Sequence, residues 1–323
     1  MEPFPFLLKP SGKDHIWGGT RLRDEFHKDC GMTPLAETWE CSTHPDGPCH
    51  VASGPAEGLS LADLLQRHSE YLGTSLQGRT DLPVLIKFID AHDNLSVQVH
   101  PDDGFAQAEE WGQSGKTEMW YVVDAAPGAE LVFGLSRRMS REALRRSVVS
   151  GMLERYLNRV PVHRNDVFYI PSGTIHAIGK GALIAEIQQS SNLTYRLYDY
   201  NRRGKDGQLR ELHIDKALAV SRTDGLQEPR QPIRVLHYTP GFASEMLCQC
   251  PSFQVFRCLL KTDGVPFPAL PESFRSVLCV EGEGCLSGCG GSLRFTRGDS
   301  VFVPATCGPM TLAGDASFLL TRC

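Results

Sequence analysis

Four side chains that are far apart along the chain could together bind a metal ion. Gln98 and His100 lie two residues apart in a stretch where polar and β-branched residues alternate, so they should share one face of a strand. Glu118 and His176 follow in two later stretches. Two imidazoles, a carboxylate and an amide oxygen suit a borderline divalent cation, and Zn²⁺ is the most natural choice among such ions. Taken singly, each histidine is more simply explained as a hydrogen-bonded core residue, so the interpretation depends on the residues occurring together.

The stretches around these residues predict strands that have one polar face. In residues 95–102, Val97 and Val99 are expected to face a core while the polar residues between them face a cavity. A half-solvated edge strand is the alternative. A nearly continuous apolar run at 83–90 predicts a buried strand, which Lys87 interrupts. Lys87 should therefore meet an anionic partner or reach solvent along its aliphatic stem.

Helices are predicted between the strands. Ser60, with Asp63 three residues later, has the spacing of a capping box and should begin a helix. Periodic apolar residues predict helical insertions at about 59–76, 139–160 and 214–222.

A short internal sequence repeat indicates two related modules. Residues 166–172 align without gaps with residues 299–305, and the two stretches share an aspartate and a proline at matching positions. Where the first copy continues to His176, the second has Pro309. The second module therefore cannot rebuild an imidazole site, and we expect it to be metal-free.

The length and composition allow two sizeable units. The chain has 323 residues, of which 41% are hydrophobic, enough to bury a large core. Together with the internal repeat, this length and composition predict that residues 1–230 form the metal-binding module with its helical insertions. Residues 231–323 are expected to form the second module.

Several classes of protein are disfavoured by composition. A net charge of −5 without a basic run gives no case for nucleic-acid binding. No apolar stretch approaches the length of a membrane span, and the apolar run near the N-terminus is too short for a signal peptide. The eleven cysteines lack paired zinc-ligand spacing, so we expect reduced thiols and a cytoplasmic location.

Two of the stretches resemble motifs of the cupin superfamily. The Pro-x-Gly-x-x-His run at 171–176 resembles the second cupin motif, in which a turn directs a histidine into the barrel. Gln98-x-His100 resembles the first motif with its leading histidine replaced, and Glu118 would be the cupin glutamate delayed by an insert. The resemblance implies a mainly β fold of two cupin-like jelly-roll barrels with helical insertions.

A more specific resemblance covers most of residues 5–205. The chain resembles class I mannose-6-phosphate isomerases, in their short bacterial form, through residues 95–102, 116–118, 170–177 and 186–196. The resemblance implies one Zn²⁺ per chain, held by Gln98, His100, Glu118 and His176. It also implies an essential Arg196 and supporting roles for Lys116, Lys87, Ser96, Trp17 and Glu186.

One position departs from the family pattern. Longer members have an aspartate four residues before the arginine, where this chain has Asn192, an amide that does not exchange a proton as a carboxylate does. We place Asn192 among the substrate-binding residues, together with Trp17. Lys87 and Ser96, on neighbouring inward faces, are the candidates for binding phosphate.

The implied reaction interconverts mannose 6-phosphate and fructose 6-phosphate through an enediolate. A Lewis acid beside the reacting oxygens would stabilise the developing oxyanion, and a general base must reach the α-carbon proton. Lys116, Glu186 and a metal-bound water are open candidates for the base. Arg196 is interpreted as a charged fork for enediolate or phosphate oxygens, with a surface ion pair to Asp199 or Glu186 as the alternative.

Two other functions are compatible with the same residues. Two histidines and a carboxylate also suit an iron-dependent cupin dioxygenase, although Gln98 as a fourth ligand and the flanking basic residues argue against it. A non-catalytic sugar-phosphate-binding cupin would bind its ligand without turnover. For the isomerase, the partner is a small-molecule sugar phosphate, and the chain is expected to be a monomer or a homodimer.

Overall fold

The computed structural model describes residues 3–226, 228–231, 235–288 and 290–323. The strands of these ranges are β1 (Phe6–Lys9), β2 (Ser11–Lys13), β3 (Glu37–Cys41), β4 (His50–Val51), β5 (Val84–Asp90), β6 (Val97–Val99), β7 (Glu118–Ala125), β8 (Glu130–Leu135), β9 (Leu157–Pro161), β10 (Val167–Ile170), β11 (His176–Ile178), β12 (Ala182–Gln189), β13 (Tyr195–Tyr198), β14 (His237–Thr239), β15 (Phe242–Gln249), β16 (Gln254–Phe267), β17 (Arg275–Gly288), β18 (Gly291–Thr296), β19 (Ser300–Val303) and β20 (Met310–Arg322). The α-helices are α1 (Arg21–Asp24), α2 (Leu61–Arg67), α3 (Asp103–Glu109), α4 (Arg141–Val149) and α5 (Ile214–Val220). Short 3₁₀ helices cover Ser69–Leu72, Thr74–Leu76 and Leu153–Tyr156. The predicted mainly β fold class is confirmed.

Two sheets pack face to face in the first part of the chain. A six-stranded sheet has the order β10-β7-β12-β5-β3-β2, and a five-stranded sheet has the order β13-β6-β11-β8-β9. Ile89 and Trp120 of the first sheet share a core with Phe133 and Ile178 of the second. The alternative interpretation of β6 as a half-solvated edge strand is wrong, because β6 lies between β13 and β11.

The apolar side of β6 faces helices, as the alternation predicts. Val97 and Val99 are fully buried in a cluster with Leu144 of α4 and Leu218 of α5. The polar residues of the same stretch consequently point to the other side of the five-stranded sheet, toward the six-stranded sheet.

A nine-stranded sheet joins the two ends of the chain. Its main path is β14-β15-β16-β20-β17-β19-β1-β4, with β18 paired to β17. Phe6 of β1 lies opposite Phe302 of β19, and their rings stack with centroids 5.3 Å apart. One core cluster contains residues of both this sheet and the six-stranded sheet. The division of the chain into two modules at residue 230 stays a prediction. In the structure β1, from the N-terminal part of the chain, pairs with β19 and belongs to the same sheet as the C-terminal strands.

The helical insertions begin where predicted, and one of them ends early. Ser60 caps α2, since its Oγ accepts a hydrogen bond from the Asp63 N–H at 3.0 Å. The insertion predicted over 139–160 is helical only as far as Tyr156, and the chain then enters β9. Gly151, with φ of 69°, ends the periodic stretch after α4.

No disulfide bond joins the ten cysteines of the described residues, and Cys289 lies outside those residues. Among the helices of the described ranges, none combines the length and the apolar character that a membrane crossing needs.

Candidate active site

Three fully buried side chains converge between the two N-terminal sheets. His100 directly follows β6, His176 begins β11 and Glu118 begins β7, so one sheet supplies both imidazoles and the other supplies the carboxylate. One ligand atom of each residue lies within 4.8 Å of the others. His100 Nε2 is 3.2 Å from Glu118 Oε1, and His176 Nε2 is 3.6 Å from Glu118 Oε2. These separations suit ligands that share one small cation.

Backbone carbonyls determine which ring nitrogen of each histidine carries the proton. His100 Nδ1 lies 2.7 Å from the Leu193 carbonyl oxygen, and His176 Nδ1 lies 2.9 Å from the Thr174 carbonyl oxygen. A carbonyl can only accept, so both Nδ1 atoms donate and both Nε2 atoms present a lone pair toward Glu118. Metal-binding histidines are oriented in the same way by a partner on the other nitrogen. The donor set therefore fits a divalent cation.

The turn before His176 explains the glycine of the Pro-x-Gly-x-x-His run. Gly173 has a φ of 83°, and a Cβ at this position would lie 2.8 Å from the Val220 carbonyl oxygen. Its N–H donates to the His100 carbonyl oxygen at 2.8 Å. This bond connects the turn that carries one imidazole to the residue that carries the other.

Gln98 adjoins the three buried ligands. Strand pairing places it opposite His176, and its amide nitrogen lies 3.5 Å from His176 Nε2. A 180° rotation of the amide would exchange its nitrogen and oxygen and present the oxygen to the cluster. Its role as a fourth ligand stays a prediction.

Lys116 supplies the positive charge beside the cluster. Its Nζ lies 2.6 Å from Glu118 Oε1 and 3.2 Å from His100 Nε2. Burial, together with this ammonium, lowers the pKa of His100 to about 3. Burial opposes ionisation of Glu118, but the ammonium outweighs it and holds the pKa of that carboxyl well below its usual range. At neutral pH the cluster is therefore in the protonation state that metal ligation requires.

Lys87 lies between two carboxylates in the buried part of the site. Its Nζ is 3.5 Å from Glu37 Oε2 and 3.4 Å from Glu186 Oε1, so it has anionic partners and does not reach solvent. Trp120 Nε1 donates to Glu118 Oε2 at 3.0 Å and to Glu186 Oε2 at 2.8 Å. Burial and the neighbouring Glu118 charge raise the pKa of Glu186, whereas Lys87 overcomes burial and lowers the pKa of Glu37 to about 2.

A cavity of about 330 Å³ adjoins this cluster, a size typical of small-molecule sites. Its lining includes the eight predicted site residues Trp17, Lys87, Ser96, Gln98, Lys116, Glu186, Asn192 and Arg196. The structure thus brings all eleven predicted residues to the cavity or to the cluster of His100, Glu118 and His176 beside it, and their individual roles stay predictions.

Arg196 is one of the residues that line the cavity. Its Nε donates to Ser96 Oγ at 3.2 Å and its Nη1 donates to the Glu211 carbonyl oxygen at 2.8 Å. Of the two partners that the alternative named, Asp199 is instead paired with Arg202 at 2.6 Å and with Arg210 at 3.2 Å. The other, Glu186, is paired with Lys87 at 3.4 Å. Within the described part of the chain, no carboxylate oxygen lies within 4.0 Å of the Arg196 guanidinium.

The cavity also contains polar residues that sequence reasoning did not select: His15, Glu37, Thr194 and Arg210. Glu37 had a usable signal, because it alternates with Trp39 along a strand and so shares its face. The His15 ring stacks on Trp17 with centroids 5.2 Å apart, and Arg210 arrives on a loop. No motif marked either residue.

Comparison with known families matches both ends of the chain. The family described as "Phosphomannose isomerase type I, catalytic domain" matches residues 6–131, and "Mannose-6-phosphate isomerase, cupin domain" matches residues 247–322. The second match agrees with the cupin-like fold that the motif resemblance implied for the C-terminal part of the chain.

Similar proteins cover the whole chain. The mannose-6-phosphate isomerase ManA of Bacillus subtilis is 36% identical over 325 residues, which is 100% of both chains. The mannose-6-phosphate isomerase of Streptococcus mutans is 36% identical over 318 residues, 98% of each chain. The crystal structure of a mannose 6-phosphate isomerase from Bacillus subtilis superposes with a TM-score of 0.92 at 34% identity, covering 98% of this chain and 99% of that one.

Proposed function

We propose that this chain, which belongs to the type I phosphomannose isomerase family, interconverts mannose 6-phosphate and fructose 6-phosphate through an enediolate, with one bound Zn²⁺. In the aldose-to-ketose direction, the C–H bond at C2 breaks and a new C–H bond forms at C1. One observation carries the proposal: two imidazole lone pairs and one carboxylate face a single point beside a cavity lined with cationic side chains.

The metal is assigned to His100, Glu118 and His176, with Gln98 as the fourth ligand. Two imidazole nitrogens, a carboxylate and an amide oxygen suit Zn²⁺ among the common cations. When bound, the ion supplies a fixed positive charge that stabilises the oxyanion developing on the sugar oxygens. The low pKa values of His100 and Glu118 favour ligation, because few protons compete for these sites at neutral pH.

Glu186 is the simpler candidate for the general base. Lys87 at 3.4 Å and the Trp120 N–H at 2.8 Å hold its carboxylate in one orientation at the cavity wall. An oriented carboxylate accepts a proton directly, whereas the Lys116 ammonium would first have to lose one. In this scheme Lys116 acts as the proton donor to the substrate oxygens.

Arg196 is proposed to bind the oxygens that carry negative charge in the substrate and the enediolate. Ser96 Oγ orients its guanidinium, and the remaining N–H groups are available to a ligand. The charge of Lys87 is already offset by two carboxylates, so we assign it to positioning Glu186 more than to binding phosphate. Trp17 offers an apolar face to the sugar ring.

The test is a coupled assay for fructose 6-phosphate formation by the purified chain. Turnover of mannose 6-phosphate should disappear on chelation and return with added zinc. Tight binding of the sugar phosphate without turnover in the zinc-loaded chain would instead indicate a binding module. Oxygen uptake with iron would indicate a dioxygenase. We further propose a cytoplasmic location, and light scattering will distinguish a monomer from a homodimer.

A further inference from the structure

An exposed carboxylate is hydrogen-bonded to a residue of the cavity wall. The Asn192 amide nitrogen donates to Asp46 Oδ2 at 2.8 Å, although the two residues are 146 positions apart along the chain. Asn192 lines the cavity and Asp46 does not. Within the described part of the chain, the hydrogen bond to the Asn192 amide therefore connects Asp46 to the site.

The turn that carries Asp46 is held in place from several directions. The Asp46 N–H donates to His44 Nδ1 at 3.1 Å, and the Gly47 N–H donates to the His44 carbonyl oxygen at 3.0 Å. Gly47 packs so closely on Trp39 that a Cβ at this position would lie 2.6 Å from the indole. Lys13 Nζ also contacts the Asp46 carbonyl oxygen. The carboxylate consequently has a defined position relative to the cavity wall.

The hydrogen bond to the Asp46 carboxylate determines how the Asn192 amide is oriented. An ionised carboxylate can only accept hydrogen bonds, so the amide must turn its NH₂ group toward Asp46. The amide oxygen is then directed away from Asp46 and receives no hydrogen bond from the described residues. An unused acceptor at the wall of a sugar-sized cavity is suited to a hydroxyl donor.

We infer that Asp46 is a positioning residue, which orients Asn192 so that its amide oxygen accepts a hydrogen bond from a hydroxyl of the hexose phosphate. This inference rests on the proposed function, since it concerns the substrate of the same cavity. It also gives Asn192, which stands where longer family members have an aspartate, a binding role that an amide can perform without transferring a proton.

The inference is tested with four variants of the zinc-loaded full chain, one of which combines the two alanine substitutions below, and with one control. Asp46→Ala removes the orienting acceptor, and Asn192→Ala removes the substrate acceptor. In the double exchange Asp46→Asn with Asn192→Asp, a carboxylate at 192 is an acceptor in either orientation and the amide at 46 can donate to it. Asp263→Asn, an exposed aspartate in the C-terminal sheet, is the control for the loss of one surface charge. Zinc content is measured throughout, because Leu193, next to Asn192, supplies the carbonyl that orients His100.

Asp46→Ala and Asn192→Ala should each raise KM roughly three- to tenfold, the value of one hydrogen bond, while kcat and zinc content are retained. Combining the two alanines should raise KM no further, because the residues act as a unit. The double exchange should restore KM to within about twofold of the parent. The inference would be overturned if Asp46→Ala had the KM of the parent. It would also be overturned if the variants lost zinc and kcat in proportion, or if the double exchange were as impaired as the single variants. A parent chain that does not turn over mannose 6-phosphate would instead refute the proposed function.

Discussion

Replacing Arg196 with alanine should abolish most turnover while leaving the metal site intact. A guanidinium has five N–H donors, and two of those of Arg196 are committed, to Ser96 Oγ at 3.2 Å and to the Glu211 carbonyl at 2.8 Å. Three donors remain for the substrate. Removing one donor that is aimed at developing charge costs about 2.7–4 kcal/mol, so we expect kcat to fall by about 10²- to 10³-fold.

The stability of this variant should change much less than its activity. Ser96 and Glu211 each lose one hydrogen bond at a partly exposed position, which predicts a decrease of about 1–2 kcal/mol in the free energy of unfolding. Zinc content should match the parent, since Arg196 has no hydrogen bond to His100, Glu118 or His176. Steady-state kinetics, elemental analysis and urea denaturation measure the three quantities.

Arg21→Ala is the matched control for this experiment. Arg21 is also partly buried and also loses two strong contacts, to Asp124 at 2.6 Å and to Glu25 at 2.8 Å, but it does not line the cavity. Its kcat should remain near that of the parent. An unchanged kcat in Arg196→Ala would refute the reasoning and assign Arg196 to structure. Loss of zinc together with turnover would show that Arg196 supports the metal site and does not act on the substrate.

Three other predictions concern the metal ligands and the base. His176→Ala should lose zinc and turnover but keep a cooperative unfolding transition, and elemental analysis showing full zinc content would contradict the ligand assignment. Glu186→Gln should lower kcat by about 10²- to 10⁴-fold while zinc is retained, and a parental pre-steady-state rate would move the base to Lys116. In the chelated protein, His100 has a folded pKa of about 3 against 6.5 unfolded, so its contribution to stability is present above pH 6.5 and is lost as the pH falls toward 3. The free energy of unfolding is measured by urea denaturation between pH 7.5 and 4.5. His100 should make it decrease by at most about 1.4 kcal/mol for each unit by which the pH falls. In His100→Asn the free energy of unfolding should depend less steeply on pH.

Patterns that are local in the chain determined much of this protein. Alternation of polar and apolar residues is a property of the strand backbone itself, so the burial of Val97 and Val99 and the inward direction of His100 could be predicted from a few residues. The glycine of the Pro-x-Gly-x-x-His run requires a positive φ, which made the turn before His176 recognisable. A helix cap is likewise a local feature, and the cap of α2 lies where Ser60 predicted it.

The partners of the charged groups were decided only by the tertiary structure. Whether Lys87 reaches solvent or carboxylates depends on the pairing of β5 with β3 and β12, which places it beside Glu37 and Glu186. Arg196 is not paired with Asp199 because Arg202 and Arg210 form ion pairs with that carboxylate.

Long-range packing also set the boundaries of the site and of the modules. The bond between Asp46 and Asn192 forms across 146 residues, and β1 pairs with β19 near the other end of the chain. A one-residue shift in strand register or a different loop path would change each of these contacts without changing any local pattern. Local sequence therefore determines which side chains point inward, and the packing of the whole chain determines which of them meet.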